Sequence, residues 1–509
     1  MFHRRDKRVE VTAQSQANPG VAGKNIKVIP ILTALLLSAF IGMFSETALN
    51  VALTQLMQDL SVTPATIQWL TTGYLLVLGI LVPVSGLLLQ RFTTRQLFTT
   101  ALSFLIAGTL IAALASVFEV LLIGRVVQAV GTALLIPLMF NTILVVIPPE
   151  RRGAAMGLIG LIIMSAPAVG PTISGLIVQN LTWNWIFWIS LPFLVFALLF
   201  GLVYMQNISE TTRPKFDVLS ILLSTIGFGG IVFGFSSAGE GAGEAGGGWE
   251  SPRVIVAIAV GIVALILFSW RQLKMEKPII NLRVFKFPMF TLGLLMVFIA
   301  MMIILSSMLL MPMYLQRGLL LTTFATGLIM LPGGLVNGAM SLITGRLFDK
   351  YGPKWLVIFG LVIAAVTLWF FSGITTASAV WFIILLHSFL MIGISMVMMP
   401  AQTNGLNQLP PEYYPDGTAI MNTLQQVAGA IGTALAVSLL TTRQAAYMKA
   451  NPGDVTNPDY LSHAMSVGVS GAFKMAAGMA VVGLIVALFI KRVDVRRAKG
   501  EAQAEKLPH

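Results

Sequence analysis

The sequence predicts an all-α integral membrane protein: fourteen transmembrane helices, arranged as two six-helix bundles with an inserted helix pair between them. Three observations predict it. Hydrophobic residues make up 56% of the 509 positions and charged residues only 10%, against about 25% charged in soluble proteins. Apolar stretches long enough to cross a bilayer, about 20 residues each, recur fourteen times. A loop pattern also recurs, as GLLLQRFTTR from Gly86 and GRLFDKYGPK from Gly345. The same offset carries Arg95 onto Lys354 and Gly170 onto Gly429. One register linking three places marks two related halves.

In chain order, residues 1–28 are polar and basic, with no apolar run or cleavage site of their own, and read as a tail rather than a signal peptide. The apolar stretches fall at about 29–53, 66–89, 97–116, 119–141, 154–178, 184–205, 217–237, 252–270, 288–312, 324–345, 354–373, 378–403, 416–440 and 467–490. The N-terminal bundle then takes 29–205. The inserted region takes 206–287, with helices near 217–237 and 252–270. The C-terminal bundle takes 288–490, and a second tail 491–509. An even number of spans puts both termini on one side. Most of the 32 Lys and Arg residues lie in the tails and loops of that side, so the positive-inside bias places both termini in the cytoplasm. The loop 404–415, which has no Lys or Arg, departs from that bias.

Charged and breaking residues inside the spans need individual reasons. Glu46 is the acidic residue set well inside a span. An ionised carboxylate in hydrocarbon costs several kcal/mol, so it faces a cavity, finds a partner or takes up a proton. Arg125 lies near the outer end of the fourth span, where it can snorkel to water or meet a partner. The run 154–178 has no charged side chain, yet it contains Gly157, Gly160, Pro167, Gly170, Pro171 and Gly175. That many breakers end a helix in water. In lipid the helix persists, and its small residues admit a close neighbour. Asp217 opens the seventh span as a helix cap. The segment 236–250 reads as a flexible Gly-rich loop, and 271–287 as a basic link that meets anionic headgroups. His387 is either a neutral interface residue or a titratable group. The amides Asn50, Gln128, Asn141, Asn337, Gln402, Asn404, Asn422 and Gln425 line the interior, as interhelical glue or as contacts of a substrate cavity. The 26 Met residues cluster at 301–313 and 391–400, suiting either a cavity for varied apolar ligands or a lipid-facing surface.

Taken together, these segments resemble the fourteen-helix drug:proton antiporter family of the major facilitator superfamily, over about residues 27–492. The spacing of Gly157, Ala166, Gly170, Pro171, Ser174 and Gly175 is similar to that family's antiporter motif, with Ala166 and Ser174 as small substitutes for glycine. SETALNVAL at 45–53, GRVVQAVG at 124–131 and GTAIMNTLQQVAGAIG at 417–432 add to the likeness. The family's loop signature is Gly-x-Leu-x-Asp-Arg-x-Gly-Arg-Arg. Gly345, Leu347, Asp349 and Gly352 match it, with Lys350 and Lys354 as basic substitutes. The first copy keeps Gly86, Leu88, Arg91 and Arg95, but has Gln90 for the acid and Thr93 for the glycine. The resemblance implies that both loops form a cytoplasmic gate in which the acid bonds to a neighbouring helix terminus. Gln90 keeps the hydrogen bonding without the charge. The resemblance further implies that Glu46 binds the proton, one residue beyond the family's Asp, which aligns with Ser45. Arg125, always protonated, then acts on that partner rather than carrying the proton. His387 is a second proton candidate.

The function expected is export of amphipathic drugs or toxic compounds by alternating access, driven by inward proton flow across a bacterial cytoplasmic membrane. The protein needs no cofactor beyond the gradient and works as a monomer in the bilayer. Export of a dedicated metabolite, lipid or siderophore is the alternative. Enzyme chemistry is not expected: the chain has no cysteine and four His, no metal-ligand spacing, no GxSxG and no P-loop. The net charge of +12 sits in tails and short loops, a topology signal rather than a nucleic-acid surface. The repeated pore-lining charges of a channel are missing as well.

Overall fold

The computed structural model describes residues 28–62, 64–208, 217–240, 248–275, 278, 280–454 and 456–493. The expectations for residues 1–27 and 494–509, for 241–247 in the loop 236–250 and for Lys277 lie outside them; the ends of that loop are helical instead, with α7 running to Glu240 and a 3-10 turn at Gly248–Glu250. Among the described residues fourteen long α-helices carry the fold, with no strand. They are α1 (Val28–Asp59), α2 (Pro64–Arg91), α3 (Thr94–Ala113), α4 (Phe118–Val146), α5 (Arg152–Asn180), α6 (Trp185–Tyr204) and α7 (Val218–Glu240). Then follow α8 (Pro252–Lys274), α9 (Pro288–Met313), α10 (Thr323–Tyr351), α11 (Pro353–Phe371), α12 (Val380–Gln408), α13 (Tyr414–Ala450) and α14 (Pro458–Ala487). Twelve are long and apolar enough to cross a membrane, thirteen when the bent α2 counts as one span. The chain is a multi-pass membrane protein. Its exterior agrees, with Ile255, Val256, Ile262, Val263 and Ile266 on α8 all exposed, an apolar surface that water would not tolerate.

The helices outrun the apolar stretches. α13 continues about ten residues past its expected end, and α14 starts about nine residues early. Hydropathy reads only the part in lipid. Beyond it the polar residues Thr441 and Thr442 bond back to their own helix at Val437 and Ser438.

The two copies of the repeated loop turn differently. Gly352 has φ +79°, a left-handed conformation that favours glycine at a helix C-terminus, and Pro353 then starts α11. In the first copy Thr93 stands at that place with φ −72° and forms a capping box with Gln96. This explains the departure of Thr93 from the loop pattern: a side-chain cap replaces the glycine turn.

The helices pack in a repeating scheme. α1 lies against α4, α5 and α6, while α3 lies between α4 and α6. In the second set α9 lies against α12, α13 and α14, and α11 lies between α12 and α14. Two seams join the sets, α5 along α10 and α13 along α2, and the repeat offset exchanges one seam for the other. α7 pairs with α8 and rests on both α2 and α13.

Asp217 does more than cap α7. It accepts from Arg271 at 2.8 and 3.0 Å, closing the α7–α8 pair. Those bonds hold its carboxyl down to about 2, so the ion pair persists throughout the physiological pH range.

Candidate functional site

Ser45 and Glu46 on α1, Tyr74 on α2, Thr109 on α3, and Arg125, Gln128 and Thr132 on α4 form one polar cluster inside the first helix set. They meet because α3 and α4 cross on glycines. A Cβ at Gly108 would lie 2.5 Å from the Gln128 backbone nitrogen, and one at Gly124 would lie 2.8 Å from that of Ala112. Such a backbone-to-backbone approach is the device by which membrane helices associate.

Arg125 is fully buried and does not snorkel. Its Nη1 donates to the Ser45 carbonyl at 3.1 Å and to Gln128 Oε1 at 3.0 Å. Gln128 Nε2 donates in turn to Thr109 Oγ1 at 2.8 Å and to Ser45 Oγ at 3.3 Å. The guanidinium carbon lies 4.3 Å from the centre of the Tyr74 ring, a cation–π contact strengthened by desolvation. The Tyr74 hydroxyl pairs with Thr132 Oγ1 at 2.8 Å. Nε and Nη2 of Arg125 have no acceptor among the described residues.

Glu46 is half-buried and interacts electrostatically with Arg125 and Tyr74 without forming a direct ion pair. The cluster therefore holds a fixed cation with spare donors beside a carboxylate. A lone buried ion is strongly penalised, so the charge state of Glu46 and the field of Arg125 depend on each other. Chemically, this arrangement can bind and release a proton, or hold a polar ligand group on the spare donors.

The other sequence candidates lie elsewhere. His387 is buried on α12 with its ring edge against Gly333 of α10, where a Cβ would lie 2.2 Å from Cδ2. This is an interface position in the second helix set. Of the amides, Gln128 joins the Arg125 cluster. Asn337 Nδ2 contacts Met391 Sδ at 3.2 Å, and Asn422 bonds back to Thr418 on its own helix. Asn141, Gln402 and Gln425 are buried, with side-chain polar atoms that have no partner among the described residues. Asn404 ties the chain after α14 to α12 through Lys491 and Val493. The side chains of Asn50, Pro167 and Pro171 lie outside the described residues.

The small residues of α5 divide between two neighbours. A Cβ on Gly157 would lie 2.4 Å from the Ser341 carbonyl of α10, and one on Gly345 would lie 2.1 Å from the Gly153 carbonyl. A Cβ on Gly170 instead meets Thr47 of α1 at 2.5 Å. Ala166 is fully buried. Gly175 is looser, with Phe324 at 4.0 Å from its Cβ position.

At the end of the molecule that carries the repeated loops, Asp349 accepts from the backbone nitrogens of Gly153 and Ala154 at 2.9 and 3.0 Å. These are the free amides of the first turn of α5, which favour a carboxylate. Arg152, which the sequence reading did not single out, reaches across to Asn407 Oδ1 at 2.9 Å and the Tyr414 hydroxyl at 3.0 Å. Arg492 donates to the Asp349 carbonyl at 2.9 Å. Arg95 stays within its own helix set, donating to the Leu202 carbonyl of α6 at 2.8 Å. Lys350 lies over the Tyr351 ring at 4.9 Å, and Gly86 packs on Ala419 of α13. Only the second loop places an acid on a helix terminus. Asp349→Asn is therefore expected to slow transport about tenfold, the scale of a lost bond to a charged group, while Gln90→Ala has the smaller effect. Equal transport rates for the two variants would refute the asymmetry.

Sequence comparison agrees with the geometry. The Major Facilitator Superfamily model matches residues 35–433. The chain is 68% identical to "Lincomycin resistance protein LmrB" of Bacillus subtilis, with 93% of this chain and 98% of that protein aligned. It is 62% identical to the Listeria monocytogenes protein of the same name, over 92% and 98%. Among solved structures, the human organic anion transporter MFSD10 superposes with a TM-score of 0.62 at 12% identity, covering 91% of this chain and 99% of that one, a likeness of fold.

Proposed function

The chain belongs to the major facilitator superfamily, and we propose that it is a proton-coupled exporter of amphipathic antibiotics, lincomycin among them, working by alternating access. Its relatives at 68% and 62% identity carry lincomycin resistance in their names, which supports drug efflux. The observation that carries the coupling is the buried Arg125, with two donors unpaired among the described residues, beside the half-buried Glu46. Glu46 takes a proton from the outer side and releases it inward, and Arg125 sets the cost of each charge state. Export is driven when the proton and the drug favour different states of the carrier by a finite free energy.

The seams suit the motion. α5–α10 and α2–α13 are exchanged by the repeat, so the two six-helix sets, 29–205 and 288–490, rock about one another while a central site opens to either side. The contacts of Asp349, Arg152 and Gly157 join the two sets at the loop end, and in this reading they hold it closed in one state of the cycle.

The test is transport by purified protein in proteoliposomes with an imposed pH gradient and a panel of lincomycin, other cationic and neutral drugs, and an organic-acid control. Drug accumulation that collapses with the gradient is expected. Gradient-independent transport refutes the coupling, and transport of none of the drugs refutes the cargo. Topology has its own test: a reporter fused after Gly248 reads extracellular and one after Lys277 cytoplasmic. The same side for both refutes the crossing of the inserted pair.

A further inference from the structure

The inserted pair α7–α8 has no part in this mechanism, and neither has Asp416, a carboxylate 4% exposed at the start of α13. A continuous run of hydrogen bonds joins them. Next to the Asp217–Arg271 ion pair, Gln272 Nε2 donates to Ser220 Oγ at 2.7 Å, clamping α8 to α7. Gln272 Oε1 accepts from the backbone nitrogen of Ile280 at 3.3 Å. The next amide, that of Asn281, donates to Asp416 Oδ1 at 3.1 Å. Gln90 Nε2, at the end of α2, donates to the same oxygen at 3.4 Å.

Asp416 has no Lys or Arg nitrogen within ion-pair distance among the described residues. A buried carboxylate held by amide donors alone among the described residues is costly, so its presence at this place calls for a reason. Its position supplies one. Beside it α2 and α13 almost touch, since a Cβ at Gly86 would lie 3.0 Å from Ala419 Cβ and 3.5 Å from the Pro415 carbonyl. The repeat makes this seam the counterpart of α5–α10, where Asp349 supplies the acid. Here the loop offers the neutral Gln90, and the acid stands on the opposite helix.

We propose that Asp416 is the positioning acid of the α2–α13 gate, standing in for the carboxylate that Gln90 lacks, and that the backbone at Ile280–Asn281 ties this gate to the inserted helix pair. The word gate rests on the exporter reading; the bonds do not. Parting the seam strips the Gln90 donor from Asp416 and pulls against the segment anchored on Gln272. Both effects favour the closed arrangement. The inserted pair thereby gains a role, holding the link between the two helix sets against α13.

The natural chain has no cysteine, so Gly86→Cys with Ala419→Cys gives one thiol pair across the seam, at a separation that needs only slight parting to suit a disulfide. The readout is the rate of oxidative crosslinking in membrane vesicles. Asp416→Ala is expected to slow crosslinking about tenfold, the scale of a lost bond to a charged group. Gln90→Asp should slow it similarly by facing two carboxylates across the seam. Gln90→Asp combined with Asp416→Asn should restore the rate, which a misfolded protein does not do. Gln272→Ala should slow it through the link. An unchanged rate in Asp416→Ala, or no rescue by the exchanged pair, overturns the gate role. An unchanged rate in Gln272→Ala overturns the tie to the inserted pair. Crosslinking needs neither cargo nor gradient, so an error in the proposed drug or driving ion leaves these outcomes unaffected.

Discussion

Glu46→Gln is expected to abolish gradient-driven drug accumulation while drug binding and downhill exchange persist. The substitution keeps the shape of the side chain and its hydrogen-bonding capacity, so the cluster around Arg125, Gln128 and Tyr74 retains its packing. In the proposed mechanism it removes the carboxylate that takes up the proton, and with it the release step on the inner side. Coupling energies between linked sites run at about 1–3 kcal/mol, so accumulation should fall by roughly one to two orders of magnitude. Glu46→Asp should keep partial coupling through a shorter arm. The measurement is drug uptake into inverted vesicles against a pH gradient, normalised to protein level. Normal uptake by Glu46→Gln would move the proton site elsewhere, and His387 would be the next residue to substitute. A fall in protein level with coupling intact would make Glu46 a structural counter-charge to Arg125.

The second large effect belongs to Gly157. Its α-carbon meets the backbone of α10, and any Cβ there would sit 2.4 Å from the Ser341 carbonyl. A carbonyl in a helix cannot move aside as a flexible side chain can, so Gly157→Leu must push α5 and α10 apart. Overpacking costs about 1–3 kcal/mol. At the upper end that lowers the population of the closed arrangement roughly a hundredfold. Export should be lost with the protein still inserted at normal level, because the strain falls on a seam between helix sets and not on insertion. Gly170→Leu should fail by a different route, since its clash is with Thr47 of α1 inside one set, beside Glu46. Wild-type export by well-inserted Gly157→Leu protein would remove the α5–α10 seam from the transport cycle.

Much of this protein is legible in one dimension. The helices, the membrane class, the repeated loops and the small-residue faces depend on local composition and spacing, because lipid forces each apolar stretch to satisfy its own backbone. Glu46 and Arg125 stood out for the same reason: a charge in such a stretch is conspicuous. Partners were not legible. Arg125 meets Tyr74 from α2 and Ser45 from α1, and Asp217 meets Arg271, fifty-four residues away in the chain. Nothing in the sequence marks Asp416; only the fold brings Gln90 of α2 and the link at Ile280–Asn281 onto it. The replacement of a loop glycine by Thr93 read as a lapse in the pattern, yet a capping box makes the same turn. An apolar run says that a helix lies in lipid, but not which of its faces meets which neighbour. That choice is made by close contacts between helices far apart in sequence, at glycines where backbones touch and at polar groups that only a particular partner can satisfy.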